Sequence, residues 1–99
     1  MLFKKNYLPI GSVVGVKDDS RRLLIIGRQV FSGSNRVVRD YAALEYPNGF
    51  IDAEDTFILF DRSDIEVVYH YGYVDEVEVE LDKRLHEVDE KGAGKEDDE

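Results

Sequence analysis

The chain has 99 residues, a formal net charge of −9 and no cysteine. This length allows one domain with a short tail, and 42% hydrophobic residues suffice for a globular core, which excludes a wholly disordered chain. No apolar run is long enough for a transmembrane helix. Because small secreted domains usually rely on disulfides, the absence of cysteine favours a reducing compartment, and we expect a cytoplasmic protein.

The negative charge is concentrated at the C-terminal end. Residues 1–74 carry nine Lys/Arg and ten Asp/Glu, whereas residues 75–99 carry four and twelve. Such an acidic segment repels phosphate backbones and anionic lipid heads, so we expect neither nucleic acid nor a membrane surface as partner. It fits either a solubilising tail or a handle for a basic protein surface.

The first half of the chain predicts three antiparallel strands. β-Branched and aliphatic runs, bounded by Gly, Pro, Asp, Asn and Ser, are typical of strands between turns. The strands are predicted at 12–17, 23–31 and 36–46, with turns or loops at 18–20, 32–35 and 47–49. Connections this short do not allow a parallel crossover, so the sequence predicts an antiparallel meander.

The middle of the chain is less definite. The apolar run at 57–60 fits either a strand or a short helix. Ser63 and Glu66 have the spacing of a capping box, which predicts a single helical turn near 63–66. A further strand is predicted at 67–73, with its tyrosines on one face and Val68 and His70 on the other.

The C-terminal segment changes period. Aliphatic residues follow one another at spacings of three or four, and they are Val74, Val77, Leu81, Leu85 and Val88. This spacing predicts a helix over 75–90 that Gly92 would end. The alternation at 77–81 favours a competing interpretation, in which a strand continues from Tyr73 to Leu81. If helical, the aliphatic stripe would dock on the sheet or pair with a helical partner, and docking is the expected case.

These elements together predict an α+β fold. We expect an antiparallel β-sheet or a partly closed small barrel of four to six strands, followed by a C-terminal helix. A single domain would span residues 1–90, and the low-complexity acidic tail at 91–99 would be disordered.

Motifs for catalysis are missing from the sequence. Two histidines without cysteine match no metal-site spacing, and neither a nucleophile elbow nor a phosphate-binding glycine loop is present. We therefore expect a non-enzymatic protein without catalytic residues, metal or other cofactor. A small enzyme is the least supported alternative, and it would require a preformed apolar pocket with convergent polar groups.

The clustered tyrosines are the most distinctive local feature. Three aromatic residues on one strand face fit a core, but tyrosine is also enriched at protein interfaces. Stacking on RNA bases would require a basic surround, which the sequence lacks. The candidate partner-binding residues are Phe57, Phe60, Val68, Tyr69, His70, Tyr71 and Tyr73.

Several blocks of sequence occur in an order that resembles a known family. They read Tyr7-Leu8-Pro9-Ile10-Gly11-Ser12-Val13-Val14, Leu23-Leu24-Ile25-Ile26-Gly27-Arg28, Asp40-Tyr41, Glu45-Tyr46-Pro47-Asn48-Gly49, Asp64-Ile65-Glu66-Val67-Val68 and Gly72-Tyr73. Over roughly residues 7–74 the chain resembles a family of small Gram-positive bacterial proteins of unknown function. Members of that family are encoded beside LXG-type toxins in type VII secretion loci and have been proposed as LXG chaperones or targeting factors.

The resemblance implies binding rather than chemistry. It implies that the chain engages a cognate LXG toxin in the cytoplasm before export, together with small helical export partners. It transfers no binding residue onto this sequence. The alternative is an immunity protein that neutralises the toxin domain, because acidic chains often mask basic nuclease sites.

Overall fold

A computed structural model describes residues 7–32, 37–51 and 57–97. Its elements are β1 (Val13–Val16), β2 (Arg22–Ser32), β3 (Val37–Tyr46), β4 (Ile58–Phe60), a 3₁₀ turn (Arg62–Asp64), β5 (Ile65–His70) and the helix α1 (Glu76–Asp97). The strands form one five-stranded antiparallel sheet in the order β4-β3-β2-β1-β5. The predicted α+β class, with a sheet followed by a C-terminal helix, is therefore confirmed.

The sheet is strongly curled although it is not closed. In a flat sheet of five strands the two edge strands would lie about 19 Å apart, since neighbouring strands are spaced by about 4.8 Å. The chain crosses from edge strand β4 to edge strand β5 through residues 61–64, most of which form a compact 3₁₀ turn. Such a turn advances only about 2 Å per residue, so the edges must approach one another. A bulge in β2 between Ile25 and Gly27 provides one of the bends.

Two predicted boundaries around β5 are wrong. The helical turn lies at Arg62–Asp64 rather than 63–66, because Ile65 is fully buried and starts the strand. Asp64, not Glu66, closes the turn: its carboxylate accepts the Asp61 N–H at 3.0 Å. The strand ends at His70 and not at residue 73, because the Gly72 N–H bonds to the Ser12 hydroxyl instead of a strand backbone.

The run at 57–60, left open between strand and helix, contributes the short strand β4. At the C-terminal end the helix α1 is present, and the alternative of a strand running from Tyr73 to Leu81 is wrong. Asp75 accepts the Glu78 N–H at 3.0 Å, as an N-cap does. The helix continues past Gly92 to Asp97, because glycine weakens a helix by about 1 kcal/mol without preventing it. The disorder expected for 91–99 and the domain limit at residue 90 stay predictions.

The core lies on the inner face of the curled sheet. Its largest fully buried side chain is that of Tyr41, whose hydroxyl accepts the Leu8 N–H at 2.8 Å. The Tyr41 ring also meets Tyr7 edge-on at 6.0 Å and Phe60 at 5.4 Å between centroids. The other buried members of this cluster are Val14, Val16, Leu23, Ile25, Ala43 and Ile65. Burial raises the pKa of Tyr41 to about 12.

The helix α1 meets the sheet largely through polar and aromatic groups. The Arg28 guanidinium, 4% exposed, donates two hydrogen bonds to the Glu78 carboxylate, at 2.6 and 2.8 Å. Arg28 also donates to the Leu8 carbonyl at 3.3 Å. About two turns further along α1, Leu85 packs on the core and His86 meets the Tyr7 ring edge-on at 5.7 Å.

The expected docking of the aliphatic stripe is therefore wrong for most of its members. Leu85 contacts the core, whereas Val74, Val77 and Leu81 are exposed. The reason is that Arg28 binds Glu78 and so turns the side of α1 that carries Glu78 towards the sheet. The side chain of Val88 lies outside the described part of the structure.

Tyr41→Phe should alter how stability depends on alkaline pH. Between pH 10 and about 12 the unfolded tyrosine ionises while the folded one keeps its proton. The contribution of the neutral Tyr41 hydroxyl to the free energy of unfolding is thus complete below pH 10. It falls by about 2–3 kcal/mol as the pH rises to 12. Urea unfolding at pH 8 to 12 should show this added slope in the wild type and in Tyr46→Phe, an exposed control. Tyr41→Phe should lose the slope, and an unchanged slope would contradict the burial of this hydroxyl.

Arg28→Leu should destabilise the protein by about 3 kcal/mol, because it leaves the Glu78 carboxylate, only 15% exposed, without its partner. The double variant Arg28→Leu/Glu78→Leu should recover part of this loss. The Arg28→Leu substitution should accelerate amide hydrogen exchange in α1 more than in β2 and β3. Additive effects of the two substitutions would contradict a direct pair.

Candidate functional site

The outer face of the sheet carries a shallow depression lined by residues of four strands. We call it the tyrosine surface, and its residues are Val13, Arg22, Tyr46, Tyr69 and His70. Arg22 lies opposite Tyr46 in the β2–β3 pairing, while Val13 lies opposite His70 in the β1–β5 pairing. Both tyrosines are about half exposed. The sheet therefore presents two exposed aromatic side chains at one depression, on strands that backbone pairing holds in place.

Tyr69 has a defined position on this surface. The Arg22 guanidinium lies over its ring, 4.8 Å from the centroid, in a cation–π contact. Gly15 lies beneath it, because a Cβ added to Gly15 would be 2.9 Å from Val67 Cγ1 and 3.4 Å from Tyr69 Cε2. The missing side chain at residue 15 thus lets Val67 and Tyr69 lie close against β1.

Tyr71 and Tyr73 follow β5 and point into solvent. Between them, the Gly72 N–H donates to Ser12 Oγ at 3.0 Å, and the buried Ser12 hydroxyl donates to the Pro9 carbonyl at 2.8 Å. A Cβ on Gly72 would lie 2.5 Å from the Ile10 carbonyl oxygen, so only glycine fits this approach. Because Tyr69, Tyr71 and Tyr73 are all exposed, the core interpretation of these tyrosines is wrong.

The structure brings together only part of the predicted binding set. Tyr69 and His70 both line the tyrosine surface, so the prediction that His70 lies on the face opposite the tyrosines is wrong. The β1–β5 register shifts between Val13 and Val14, which lie opposite His70 and Val68. Tyr71 and Tyr73 continue from this surface along the chain. Phe57 is exposed at the β4 edge of the sheet, with its ring 6.3 Å from that of Phe50.

Two of the predicted residues are not placed to contact a partner. Phe60 is 3% exposed and belongs to the core, and Val68 is half-buried against the same cluster. Both lie on the inner face because the strand alternation directs them there, as the pairing of Val68 with Val14 shows. The binding role of the exposed residues stays a prediction.

Sequence reasoning missed Arg22 and Tyr46. Their opposition in the β2–β3 pairing could have been found by aligning the two predicted strands about their connecting loop. The proximity of Arg22 and Tyr46 to Tyr69 could not have been found from the sequence, because β5 reaches β1 only through the curl of the whole sheet. Phe50 and Ile51, which follow the 47–49 turn and are exposed, were also missed.

The chemistry of the tyrosine surface suits contact with another polypeptide. Tyrosine combines a wide apolar ring with a hydroxyl that donates and accepts hydrogen bonds, and such residues carry much of the binding energy at interfaces. Among the side chains that the structure describes, at 7–31, 37–51 and 57–87, no group of three His, Cys, Asp or Glu could hold a metal ion. Among the residues that the structure describes, no helix is both long enough and apolar enough to cross a membrane.

The fold defines a small α+β protein with a curled antiparallel sheet and one C-terminal helix. Residues 7–81 match the family described as Domain of unknown function (DUF4176), and the chain belongs to that family. The match covers the whole sheet and the first turns of α1. No curated protein and no solved structure matches the chain.

Gly72→Ala should destabilise the fold by about 1–3 kcal/mol, because its Cβ would collide with the Ile10 carbonyl and separate residue 72 from Ser12. Tyr71→Ala, at the neighbouring exposed position, should change stability by less than about 0.5 kcal/mol. Chemical denaturation of both variants measures the difference. Equal stability of the two variants would contradict the close approach at residue 72.

Proposed function

We propose that the chain is a non-enzymatic adaptor that binds an LXG-type toxin through the tyrosine surface and accompanies it to type VII secretion. The observation that carries the binding part is the exposure of Tyr46 on β3 and Tyr69 on β5 at one depression of the sheet. The choice of toxin rests on the resemblance of the sequence blocks and on nothing else. The encounter would take place in the cytoplasm, before export, and would need no cofactor.

The side chains of the tyrosine surface are already held in place, which supports its use in binding. A side chain that is already held loses little conformational freedom when a partner covers it. Tyr69 is held from both sides, by the Arg22 guanidinium above it and by β1 at Gly15 below it. Arg22 would at the same time offer hydrogen bonds to backbone carbonyls or to an acidic side chain of the partner.

The sequence blocks behind the resemblance support the fold rather than the contact. Ser12 ties the first turn to Gly72, and Arg28 ties β2 to α1. Gly27 sits at the bulge of β2, where a Cβ would come 3.3 Å from Val30 Cγ2. Residues at these positions stabilise the fold, and the fold exposes the tyrosines on its surface.

The proposal is tested by co-expressing the full chain with the LXG protein encoded nearest to it and purifying the complex. Tyr46→Ala and Tyr69→Ala should each weaken the binding by about tenfold or more, because aromatic residues at the centre of an interface dominate its energy. Phe31→Ala removes an exposed aromatic residue near the far end of β2 and should leave binding unchanged. Failure of the wild-type chain to bind the folded toxin would contradict the proposal.

The same complex separates the adaptor from an immunity protein. An adaptor for export should bind the N-terminal LXG region of the toxin, whereas an inhibitor should bind its C-terminal toxic domain. Binding assays with each part, and a toxicity assay with and without this chain, give the answer. Binding confined to the toxic domain, with loss of toxicity, would replace the adaptor by the immunity function.

A further inference from the structure

The helix α1 carries an exposed aliphatic row that the tyrosine surface does not include. Val77 is 76% exposed and Leu81 is 43% exposed. Four residues apart, they lie one above the other on one side of the helix. They line a shallow groove whose other walls are Glu76, Glu80 and Arg84. We call Val77 and Leu81, with these three charged neighbours, the α1 row.

The α1 row stays exposed because the helix docks on the sheet through a neighbouring side. The Arg28–Glu78 pair and Leu85 attach α1 to the sheet. Glu78 is about 100° around the helix from Val77, so seating Val77 on the sheet would withdraw Glu78 from Arg28. Separating the pair would leave the almost buried Arg28 without its partner, which is costly. The row is therefore available to another molecule without any rearrangement.

The charge of α1 determines which kind of partner can bind the α1 row. Residues 76–97 contain nine acidic and four basic side chains, so two copies of α1 would repel one another. The walls of the groove are two glutamates and Arg84, whose guanidinium lies 3.9 Å from the Glu80 carboxylate. Their net charge is −1, and the remaining carboxylate of Glu76 attracts lysine or arginine. A helix with an aliphatic stripe can place its stripe on Val77 and Leu81 and its flanking charges beside Glu76 and Glu80.

We propose that the α1 row docks an amphipathic helix of a partner protein, with an aliphatic stripe flanked by basic residues. This inference goes beyond the proposed function, because it concerns another element and does not require the tyrosine surface. A protein with both surfaces can hold two polypeptides at once. Loss of either binding event leaves the other measurable.

The test uses the full chain and two synthetic peptides of three heptads with leucine at positions a and d. One peptide carries lysine at e and g, and its twin carries glutamate there. In fluorescence anisotropy, the lysine peptide should bind, its affinity should fall with added salt, and the glutamate peptide should bind at least about tenfold more weakly. Binding of both peptides with equal affinity would overturn the charge selection.

Substitutions locate the binding on α1. Leu81→Gln and Val77→Gln should each weaken binding of the lysine peptide by about tenfold, with unchanged circular dichroism. Val79→Gln is the matched control, since Val79 is 48% exposed but lies about 200° around the helix from Val77. Tyr69→Ala should also leave peptide binding unchanged.

Three further outcomes would overturn the proposal. The lysine peptide could fail to bind, or it could bind Leu81→Gln as tightly as the wild type. In the third, the chain alone would self-associate in analytical ultracentrifugation and Leu81→Gln would abolish the association. That last result would assign the row to a second copy of this chain.

Discussion

The ion pair between Arg28 and Glu78 decides which sides of this protein are available for binding. An arginine that is almost wholly buried on a sheet needs an anion, and α1 supplies one from its first turns. The helix is oriented by this demand rather than by its aliphatic residues, of which Leu85 alone among those described reaches the core cluster. Val77 and Leu81 are exposed as a consequence. Electrostatics at one buried position thus determines the apolar character of a neighbouring surface of the helix.

A second constraint acts through the buried hydroxyl of Ser12. It joins the turn at Pro9 to Gly72, sixty residues later, and the Ser12 carbonyl accepts the Ile25 N–H at 2.9 Å. Three separate segments are therefore tied together at one residue. This junction ends β5 at His70 and directs the following tyrosines outward. The tyrosine surface and the scaffold are built by the same contacts.

The local elements were predictable, whereas their relative placement was not. β-Branched runs between turn residues located β1, β2 and β3, because strand preference and turn chemistry act over a few residues. Spacings of three and four located α1 for the same reason. The orientation of α1 depends on Arg28, which lies fifty residues before Glu78. It could not be predicted, because the spacing of hydrophobic residues gives no information about a buried ion pair. The grouping of Tyr46 with Tyr69 depends on the curl of the whole sheet, which only the assembled fold reveals.

The two exposed surfaces differ in how firmly the fold holds them, and that difference bears on how each would bind. The tyrosine surface rests on four strands joined by backbone hydrogen bonds, so a partner meets it largely preformed. Over residues 76–87, whose side chains the structure describes, α1 contacts the rest of the fold through the Arg28–Glu78 ion pair, Leu85 and the contact of His86 with Tyr7. An attachment whose described contacts include one aliphatic side chain can open at lower cost than a sheet of paired strands. A partner on α1 would therefore gain part of its binding energy by stabilising the helix itself, and a partner on the sheet would gain it from contact alone.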